Sequence, residues 1–444
     1  MSFDHIEKTP EFLRAFDLFE NSSRHIFLTG RAGTGKSTLL QYFRSSTQKN
    51  VAVLAPTGVA AVNVKGQTIH SFFRFRPDIT PATVAEIRLR RAQREIYRNI
   101  DAIIIDEVSM VRADILDCMD AFLRLHAKKH DEPFGGVQLI MIGDLFQLPP
   151  VVTNSEQDVF SGMYPSPYFF DARAFKDLDM EFLELETIWR QKEDRFISLL
   201  NAVRENNFSE NELKTLNARV QPDFEPSAQD FFVYLTTTND LADTINHSRL
   251  SALKGKVYEY EGTLNGKFEE RNLPTQEKLK LKMDAQVMLL NNDSLGRWVN
   301  GSIGQVTDII HNDGEDAVRV RLSEGQIVDV VPFTWEVYRF VYDKESDTLQ
   351  SEMTGAFTQY PLRLAWAVTI HKAQGKTFSK VIIDVGRGAF SPGQVYVALS
   401  RCTTLDGIIL KKPILRRHIM MDERVGLFLQ NFKKKMRKTH LVLE

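Results

Sequence analysis

A glycine-rich loop between an apolar strand and a helix constrains the fold of this chain more than any other feature. Residues 30–37 read GRAGTGKS, follow the apolar run 25–29 and precede the helical pattern 37–43. Glycines here let backbone N–H groups turn around a phosphate at a helix N-terminus, where the helix dipole favours anions. In such a loop Lys36 reaches the β- and γ-phosphates, and the Ser37 hydroxyl binds Mg²⁺. The predicted phosphate-binding residues are Gly30, Gly33, Thr34, Gly35, Lys36 and Ser37.

Composition places the chain among globular proteins with more than one domain. It has 444 residues, of which 43% are apolar, and no apolar run approaches the length of a membrane span. The charged N-terminus lacks the apolar stretch of a signal peptide, so we expect a cytoplasmic protein with no membrane partner. The two cysteines, Cys118 and Cys402, are too far apart in sequence to suggest a metal site and indicate reduced thiols.

Net charge gives no sign of a nucleic-acid partner, because it is only −2. Basic residues are instead concentrated in two segments. The first contains Arg88, Arg90, Arg91, Arg94 and Arg98, and the second contains Lys433, Lys434, Lys435, Arg437 and Lys438. Such runs form either solvated faces or contacts to DNA, and the sequence leaves both interpretations open.

Residues 25 to about 185 alternate apolar strands with helical patterns. The strand candidates are nearly continuous runs rich in Val and Ile, as a parallel sheet covered on both faces requires. They are 51–55, 102–105 and 138–142. An insert at about 64–95 contains Thr80 and Pro81, which predict a helix that begins there and ends near Ile100. The region is therefore expected to have an α/β core.

A second α/β pattern begins after about residue 184, with 231–235 and 381–384 as strand candidates. From about 286 to 357 it is interrupted by short β runs, which are separated by dipeptides typical of hairpin turns. These dipeptides are Asn300-Gly301, Asp313-Gly314 and Glu324-Gly325. The pattern predicts a small β-barrel inserted into a second α/β domain, because a domain whose ends lie close together is easily inserted into a host.

Two carboxylates follow the strand candidate 103–105. Asp106 and Glu107 are expected at the carboxyl end of that strand, where ligands bind in open parallel sheets. After a phosphate-binding loop, the pair predicts that Asp106 holds Mg²⁺ and that Glu107 polarises the water attacking the γ-phosphate. Phe146 and Gln147 follow the next strand. The Gln147 amide can sense a γ-phosphate, and the Phe146 ring can stack on a base.

Further segments in a fixed order identify a family. They are 55–61 (APTGVAA), 66–72 (GQTIHSF), 143–150 (GDLFQLPP), 187–191 (TIWRQ), 362–377 (LRLAWAVTIHKAQGKT) and 395–402 (VYVALSRC). With the phosphate-binding loop and the acidic pair, they closely resemble the Pif-type (petite integration frequency) DNA helicases of superfamily one. The resemblance extends from Phe27 to about Ile408 and is to a compact, bacterial-type helicase core.

The resemblance implies an α/β fold with two RecA-like P-loop NTPase domains that bind ATP and Mg²⁺ between them. The first domain would comprise residues 1–63 and 96–183, with a small wedge-like insertion of helix and loop at 64–95. The second would comprise 184–285 and 358–444, with a small Src-homology-three-like β-barrel at 286–357. The implied activity is ATP-dependent unwinding of duplex or structured DNA by a monomeric motor. This motor would move 5′ to 3′ on single-stranded DNA, and its implied partners are single-stranded DNA and 5′-tailed duplex or structured DNA.

The resemblance also implies roles for individual residues. Arg190 and Arg401 would supply guanidinium charge to the γ-phosphate when the two domains close, and Gly375 would contact the nucleotide. Hydroxyls, amides and basic groups would hold DNA phosphates, while aromatic rings would hold bases. The implied DNA-contacting residues are Thr57, His70, Phe72, Phe146, Thr237, Asn239, His371 and Lys372.

Several alternatives remain open on the sequence. The Phe72 ring either contacts a base or lies in the core. The segment 9–19 lacks the glutamine that many family members use to clamp adenine, and Phe16 or Phe19 either packs against the base or belongs to the core. The rival functions are a RecD-like helicase subunit of a larger complex and a nucleotide-controlled DNA-binding switch.

Overall fold

The computed structural model describes residues 7–152, 160–176, 178–191, 193–268, 273–311, 316–385 and 391–443, with side chains as far as Lys434. The predicted turn at Asp313-Gly314 and the side chains of Lys435, Arg437 and Lys438 lie outside this description. Among the described helices, none is long and apolar enough to cross a membrane.

Twenty strands are described, and they are numbered in chain order. They are β1 (His25–Gly30), β2 (Val51–Ala55), β3 (Gln67–Thr68), β4 (Ala102–Ile105), β5 (Gln138–Ile142), β6 (Met180–Leu185), β7 (Val233–Thr236), β8 (Tyr258–Glu261), β9 (Thr263–Gly266), β10 (Lys278–Leu281), β11 (Gln286–Leu289), β12 (Ile303–Ile310), β13 (Ala317–Leu322), β14 (Ile327–Val330), β15 (Phe333–Asp343), β16 (Thr348–Gln359), β17 (Leu362–Leu364), β18 (Ala367–Thr369), β19 (Val381–Ile383) and β20 (Ile408–Leu410).

The α-helices of the described residues are numbered in the same way. They are α1 (Pro10–Asn21), α2 (Lys36–Ser46), α3 (Gly58–Asn63), α4 (Ile69–Phe73), α5 (Arg91–Asn99), α6 (Ala113–His126), α7 (Arg173–Lys176), α8 (Asp194–Arg204), α9 (Glu210–Asn217), α10 (Asn239–Ala252), α11 (Ile370–Ala373), α12 (Gln394–Ser400) and α13 (Glu423–Leu443).

Contacts divide the chain into two compact units. Unit 1 comprises Met1–Trp189, Glu336–Thr354 and Asp422–Glu444, and unit 2 comprises Arg190–Trp335 and Gly355–Met421. This division differs from the predicted domain boundaries at three segments. Residues 184–189, which the prediction places in the second α/β domain, belong to unit 1. The two longer segments are the hairpin end 336–354, predicted as part of the barrel, and 422–444, predicted as part of the second α/β domain.

Aromatic packing explains why both segments belong to unit 1. Phe340, on the hairpin, packs edge-on against Phe72 with 5.8 Å between ring centroids. Phe428, on α13, stacks on Phe170 with a centroid separation of 4.4 Å. Buried rings of this kind bring together residues that are far apart in sequence, which local patterns do not reveal.

Unit 1 is built on a six-stranded sheet with the order β3-β2-β4-β5-β1-β6. All of its pairings are parallel. Side chains alternate between two hydrophobic clusters: Ile103 and Ile105 belong to one, and Ile104 belongs to the other. The sheet is thus covered on both faces, which explains the continuous apolar runs of its strands.

The insert of unit 1 has less helix than the sequence predicts. The prediction of a helix that begins at Thr80 is wrong, because the structure has a 3₁₀ turn at Val84–Glu86 and α5 begins only at Arg91. The Thr83 hydroxyl accepts from the Thr80 backbone N–H at 3.1 Å, and this local bond favours a turn over a helix. Val84, Ile96 and Ile100 are nevertheless buried, and Ile87 is half-buried.

Unit 2 contains a four-stranded parallel sheet with the order β18-β7-β19-β20. The strands predicted near 231–235 and 381–384 are confirmed as β7 and β19, which pair in parallel. The predicted α/β fold class is therefore confirmed in both units.

The other sheets to which unit 2 contributes strands are antiparallel. A five-stranded sheet has the order β14-β13-β12-β11-β17, and shorter sheets pair β10 with β8 and place β16 between β15 and β9. Its core includes Val287, Val306 and Leu362. Since β17 pairs with β11, the first and last strands of the five-stranded sheet along the chain lie side by side, as an inserted domain requires. Closure into a Src-homology-three-like barrel stays a prediction.

Candidate nucleotide and nucleic-acid site

The sequence motifs of unit 1 converge on one edge of its sheet. The carboxyl ends of parallel strands meet at a single edge, and each strand of this sheet is followed there by a predicted site residue or a neighbour of one. Along the sheet order these residues are His70 after β3, Thr57 after β2, Asp106 after β4, Gln147 after β5, Gly33 after β1 and Trp189 after β6.

The loop between β1 and α2 has the conformation that phosphate binding requires. Gly33 and Gly35 have φ values of 84° and 87°, in the left-handed region that favours glycine. A Cβ on Gly30 would lie 2.7 Å from the Leu185 carbonyl oxygen, so no side chain fits there. Lys36 Nζ donates to the carbonyl oxygens of Gly30 at 2.6 Å and Arg31 at 2.9 Å. The ammonium group is thus held over the loop, next to the backbone N–H groups at the start of α2.

The acidic pair lies beside this loop. Asp106 Oδ1 accepts from the Glu107 backbone N–H at 3.0 Å. Burial raises the pKa of Asp106, whereas this hydrogen bond and the nearby Lys36 charge lower it. Glu107 has φ 52° and ψ 45°, a conformation that non-glycine residues rarely adopt and that recurs at functional sites. The sequence pair is therefore brought to the phosphate loop, as predicted.

Gln147 and Phe146 are positioned by Asp144, a residue that sequence reasoning did not single out. Fully buried Asp144 accepts from the Phe146 backbone N–H at 3.2 Å and from Gln147 Nε2 at 3.3 Å. The Gln147 side chain is buried at 7% exposure, and the Phe146 ring is half-buried. Asp144 orients one amide toward the nucleotide edge and holds the turn that carries the ring. The sequence feature that could have identified Asp144 is its position in the segment 143–150.

Trp189 is a second residue for which the sequence predicted no role, although it lies in the segment 187–191. Its backbone N–H donates to the Gly33 carbonyl at 2.9 Å, and its ring would lie 3.8 Å from a Cβ on Gly35. The side chain is 45% exposed, which is unusual for tryptophan. A flat, accessible ring beside a phosphate loop is suited to stacking on a nucleotide base. By contrast, Phe19 is fully buried and Phe16 packs on Phe43, so both belong to the core.

The predicted DNA-contacting residues of unit 1 divide into two groups. Thr57 is the N-cap of α3, where its hydroxyl accepts from the Ala60 N–H, and His70 is half-buried on α4. Both follow neighbouring strands at the same edge. Phe72, however, is only 4% exposed and packs edge-on against Phe73 and Tyr97. The DNA-contact prediction for Phe72 is corrected accordingly, because a ring enclosed on all sides cannot stack on a base.

Unit 2 brings the two predicted catalytic arginines to one turn. Arg190 donates to the carbonyl oxygens of Gly375 at 3.4 Å and Ser400 at 3.5 Å. Arg401, which is 1% exposed, donates to the carbonyl oxygens of Val397 at 3.0 Å and Lys376 at 3.3 Å. Burial lowers the pKa of Arg190. Both guanidinium groups are therefore positioned by backbone carbonyls around the turn that contains Gly375, whose φ is 78°.

The predicted DNA-contacting residues of unit 2 also follow adjacent strands. Thr237 and Asn239 come after β7, and His371 and Lys372 lie on α11, directly after β18. Since β7 and β18 pair in parallel, all four are at one edge of this sheet. His371, Lys372 and Asn239 are exposed, and Thr237 is half-buried. The structure thus gathers on unit 2 a second set of polar groups accessible to a polyanion.

The donor set at the phosphate loop suits Mg²⁺ bound together with a nucleotide. No group of three or more His, Cys, Asp or Glu able to hold a metal occurs among the described residues. Mg²⁺ needs no such group, since one carboxylate and one hydroxyl complete its shell with phosphate oxygens and water. Asp106 is half-buried at the sheet edge and Ser37 is exposed at the start of α2, as this mode of binding requires.

The chain is similar to known helicases in both sequence and structure. A model of the PIF1-like helicase family matches residues 13–214. The human protein named ATP-dependent DNA helicase PIF1 is 36% identical over 392 residues, which cover 86% of this chain and 57% of the human protein. This chain therefore spans a little over half of that relative.

Two bacterial proteins match over nearly their whole length. The Bdellovibrio bacteriovorus protein named ATP-dependent DNA helicase Pif1 is 32% identical over 445 residues, covering 98% of this chain and 94% of that protein. Among solved structures, Bacteroides sp Pif1 in complex with ADP-AlF4 has a TM-score of 0.89 and 37% identity, covering 97% of this chain and 98% of that one.

Proposed function

We propose that this chain, which belongs to the PIF1-like helicase family, is an ATP-dependent DNA helicase that moves 5′ to 3′ on single-stranded DNA. One observation carries the proposal. The sheet edge of unit 1 aligns the phosphate loop, the acidic pair and Gln147 with the predicted DNA-contacting residues Thr57 and His70. Nucleotide chemistry and strand contact therefore share one rigid support.

The phosphate loop would bind Mg²⁺-ATP, which supplies a transferable phosphoryl group. The backbone N–H groups of Gly33, Thr34 and Gly35 would hold the phosphates, and Lys36 would exchange the carbonyls of Gly30 and Arg31 for phosphate oxygens. Ser37 and Asp106 would hold the metal. Glu107 would accept a proton from the attacking water, and Gln147 would sense the γ-phosphate through its amide.

Arg190 and Arg401 would stabilise the negative charge that develops during hydrolysis. Their donors are already directed at backbone carbonyls around Gly375, so binding phosphate would replace these partners without unfolding the turn. A guanidinium is the suitable group, because its planar donors match phosphate oxygens. This role couples unit 2 to the state of the nucleotide.

Trp189 would take the place of the absent glutamine clamp by stacking on adenine. Stacking accounts for the exposure of the Trp189 ring beside Gly35. A stacking contact recognises the flat face of a base more than the hydrogen-bonding groups on its edge. We therefore expect weaker discrimination between ATP and other purine nucleotides than a glutamine clamp provides. Competition of GTP with ATP in steady-state hydrolysis, for wild type and Trp189→Ala, measures this directly.

DNA would contact both units through groups that recognise the backbone more than the sequence. On unit 1 these are Thr57, His70 and the Phe146 ring, and on unit 2 they are Thr237, Asn239, His371 and Lys372. Hydroxyls, amides and ammonium groups bind phosphates, and an aromatic ring stacks on any base. We further propose a monomeric motor, since each predicted catalytic group is present within one chain.

Strand displacement on tailed duplexes tests the proposed function. We expect unwinding of a duplex with only a 5′ single-stranded tail, dependent on ATP and Mg²⁺, and little unwinding when the tail is 3′. DNA-stimulated ATP hydrolysis is measured on the same substrates. A preference for the 3′ tail would reject the proposed polarity. Stimulated hydrolysis without displacement on either tail would instead favour a nucleotide-controlled binding protein.

A further inference from the structure

A row of arginines on α5 forms a surface that the proposed catalytic cycle does not use. We propose that Arg91, Arg94 and Arg98, here called the arginine stripe, bind the phosphate backbone of duplex DNA next to the single-stranded tail. The proposal rests on the proposed helicase function, because it names where the double-stranded part of that substrate is held. Four observations support it.

Helix geometry places the three arginines on one face. At 3.6 residues per turn, positions 91, 94 and 98 lie within an arc of about 60°, and they extend over about 10 Å of helix. Ile96 is buried on the opposite side, and Tyr97, about a quarter turn from the stripe, is buried and packs edge-on against Phe122. The helix is therefore anchored by one side and presents guanidinium groups on the other.

The stripe is accessible and not neutralised. All three arginines are exposed, as are Arg88 and Arg90 just before the helix. None of these five arginines forms an ion pair with any residue that the structure describes. Burial, followed by the nearby Arg94 charge, lowers the pKa of His126, which places a guanidinium of the stripe close to that ring. With a net charge of only −2 for the whole chain, this concentration of positive charge is local.

The stripe is attached to the helix that carries His70, and its C-terminal end, Arg98, lies near Asp101 and Gln138 at the amino edge of the sheet. The Tyr97 hydroxyl donates to the Phe72 carbonyl oxygen at 2.6 Å, which fastens α5 to α4. His70 is on α4, two residues before Phe72. In the sheet order, β3 and β2 lie at this end, whereas the phosphate loop follows β1 near the other end. A duplex held by the stripe would therefore lie along α5, between the helix that carries His70 and the amino edge of the sheet, and would leave the nucleotide site untouched.

The composition of the exposed face favours duplex over single-stranded DNA. Sites for single strands combine basic groups with accessible aromatic rings on which bases stack. The aromatic residue of α5, Tyr97, is only 2% exposed, so the charged groups that are fully exposed on this helix are the three guanidinium groups, with Glu95 half-buried beside them. Such a face suits phosphates whose bases are already stacked inside a double helix.

The test compares two DNAs and two sets of variants. The probes are a fluorescent duplex with a 5′ single-stranded tail and the same tail as a free strand. The triple variant Arg91→Gln, Arg94→Gln, Arg98→Gln removes the charge and retains helix propensity. The matched control, Arg91→Lys, Arg94→Lys, Arg98→Lys, keeps the charge. Fluorescence anisotropy across a salt series gives the affinity and its salt dependence, and thermal melting checks the fold.

We expect the glutamine variant to bind the tailed duplex at least about tenfold more weakly near 0.1 M salt, with a log–log salt slope smaller by up to about 0.9 per lost phosphate contact. Its affinity for the free strand and its strand-stimulated ATP hydrolysis should match wild type. The lysine variant should retain most of the duplex affinity. Equal weakening on both DNAs would overturn the proposal by assigning the stripe to the single strand.

Unchanged binding of both DNAs by the glutamine variant would also overturn the proposal, because the stripe would then be a solvated face. Failure of the proposed function gives a different result. A wild-type protein without DNA-stimulated hydrolysis would reject the helicase, while the duplex-binding comparison would still decide the role of the stripe.

Discussion

The two units contain parallel sheets that use the same edge for different chemistry. In unit 1, the residues that follow the strands are a glycine loop, two carboxylates and a glutamine. In unit 2, the corresponding edge carries hydroxyl, amide and basic groups, and its arginines surround the turn at Gly375. The difference shows that the sheet supplies position and the few residues after each strand supply function.

The resemblance between the two edges is closest where DNA contacts are predicted. In each unit, a threonine that ends or follows a strand caps the next helix with its hydroxyl: Thr57 and Thr68 in unit 1, Thr238 and Thr369 in unit 2. These caps satisfy backbone N–H groups and fix where each helix begins. Both units thereby present polar groups at the sheet edge, but among the described residues the glycine-rich loop predicted to bind phosphates belongs to unit 1.

The largest effect is expected from substituting Arg401, which tests whether unit 2 contributes to ATP hydrolysis. We expect Arg401→Ala to slow the chemical step of ATP hydrolysis by about 10³–10⁵-fold, because an arginine that stabilises the transferring phosphoryl group contributes this much elsewhere. Arg190→Ala should act in the same direction with a smaller effect. Single-turnover hydrolysis measures the step, and nucleotide binding should persist.

Arg401 is buried, so loss of its backbone bonds must be separated from loss of its charge. Arg401→Lys retains a charge but not the planar donors, and a fold equal to wild type by thermal melting isolates the catalytic effect. If either alanine variant altered only the salt dependence of DNA binding, that arginine would belong to the DNA surface of unit 2.

Next in expected size is the acidic pair of unit 1. Glu107→Gln should retain ATP binding and reduce turnover by about 10²–10⁴-fold, because the amide cannot accept the proton of the attacking water. Lys36→Ala should instead weaken nucleotide binding and leave most nucleotide-free DNA affinity. Equilibrium binding and steady-state hydrolysis compare the two variants. Near-normal turnover of Glu107→Gln would remove it from the catalytic role.

A smaller effect is expected at Phe146, where the nucleotide and DNA edges of unit 1 meet. Phe146→Ala should weaken single-strand binding by about 1–3 kcal/mol if a base stacks on the ring. Phe146→Tyr, which keeps the aromatic face, serves as the control. Hydrolysis without DNA should change little. A loss of thermal stability with unaltered DNA affinity would return this half-buried ring to the core.

The smallest expected effect is a loss of folding stability of unit 1 at acid pH. His25 Nδ1 accepts from the Leu139 backbone N–H at 3.0 Å, and burial lowers the pKa of His25 to about 4. Between pH 6.5 and 4 the unfolded chain binds the extra proton, so unit 1 loses stability as pH falls through this window. At pH 5 the loss from this group amounts to about 2 kcal/mol.

Urea unfolding read by pulse proteolysis, at pH 7 and pH 5, measures this loss in unit 1. His25→Asn, which does not titrate in this range, should show a smaller difference between the two pH values than wild type. The same pH dependence in both proteins would mean that the His25 ring is not the group responsible.

Local sequence patterns were sufficient to predict several parts of this protein. The phosphate loop, the strands before it and after it, and the acidic pair depend on residues close together in sequence, because glycine conformations and apolar runs act over a few positions. The order of the motifs then placed Lys36, Asp106 and Glu107 at one site, since carboxyl ends of parallel strands share an edge.

Contacts between distant residues decided the rest. Burial of Phe72 depends on Tyr97 and Phe340, and the role of Trp189 depends on its contact with the loop at Gly33. The segments 336–354 and 422–444 belong to unit 1 only because their aromatic rings find partners there. Side-chain packing is set by the whole fold. The spacing of an aromatic residue in the sequence is therefore the same whether its ring is buried or exposed, and it does not predict burial.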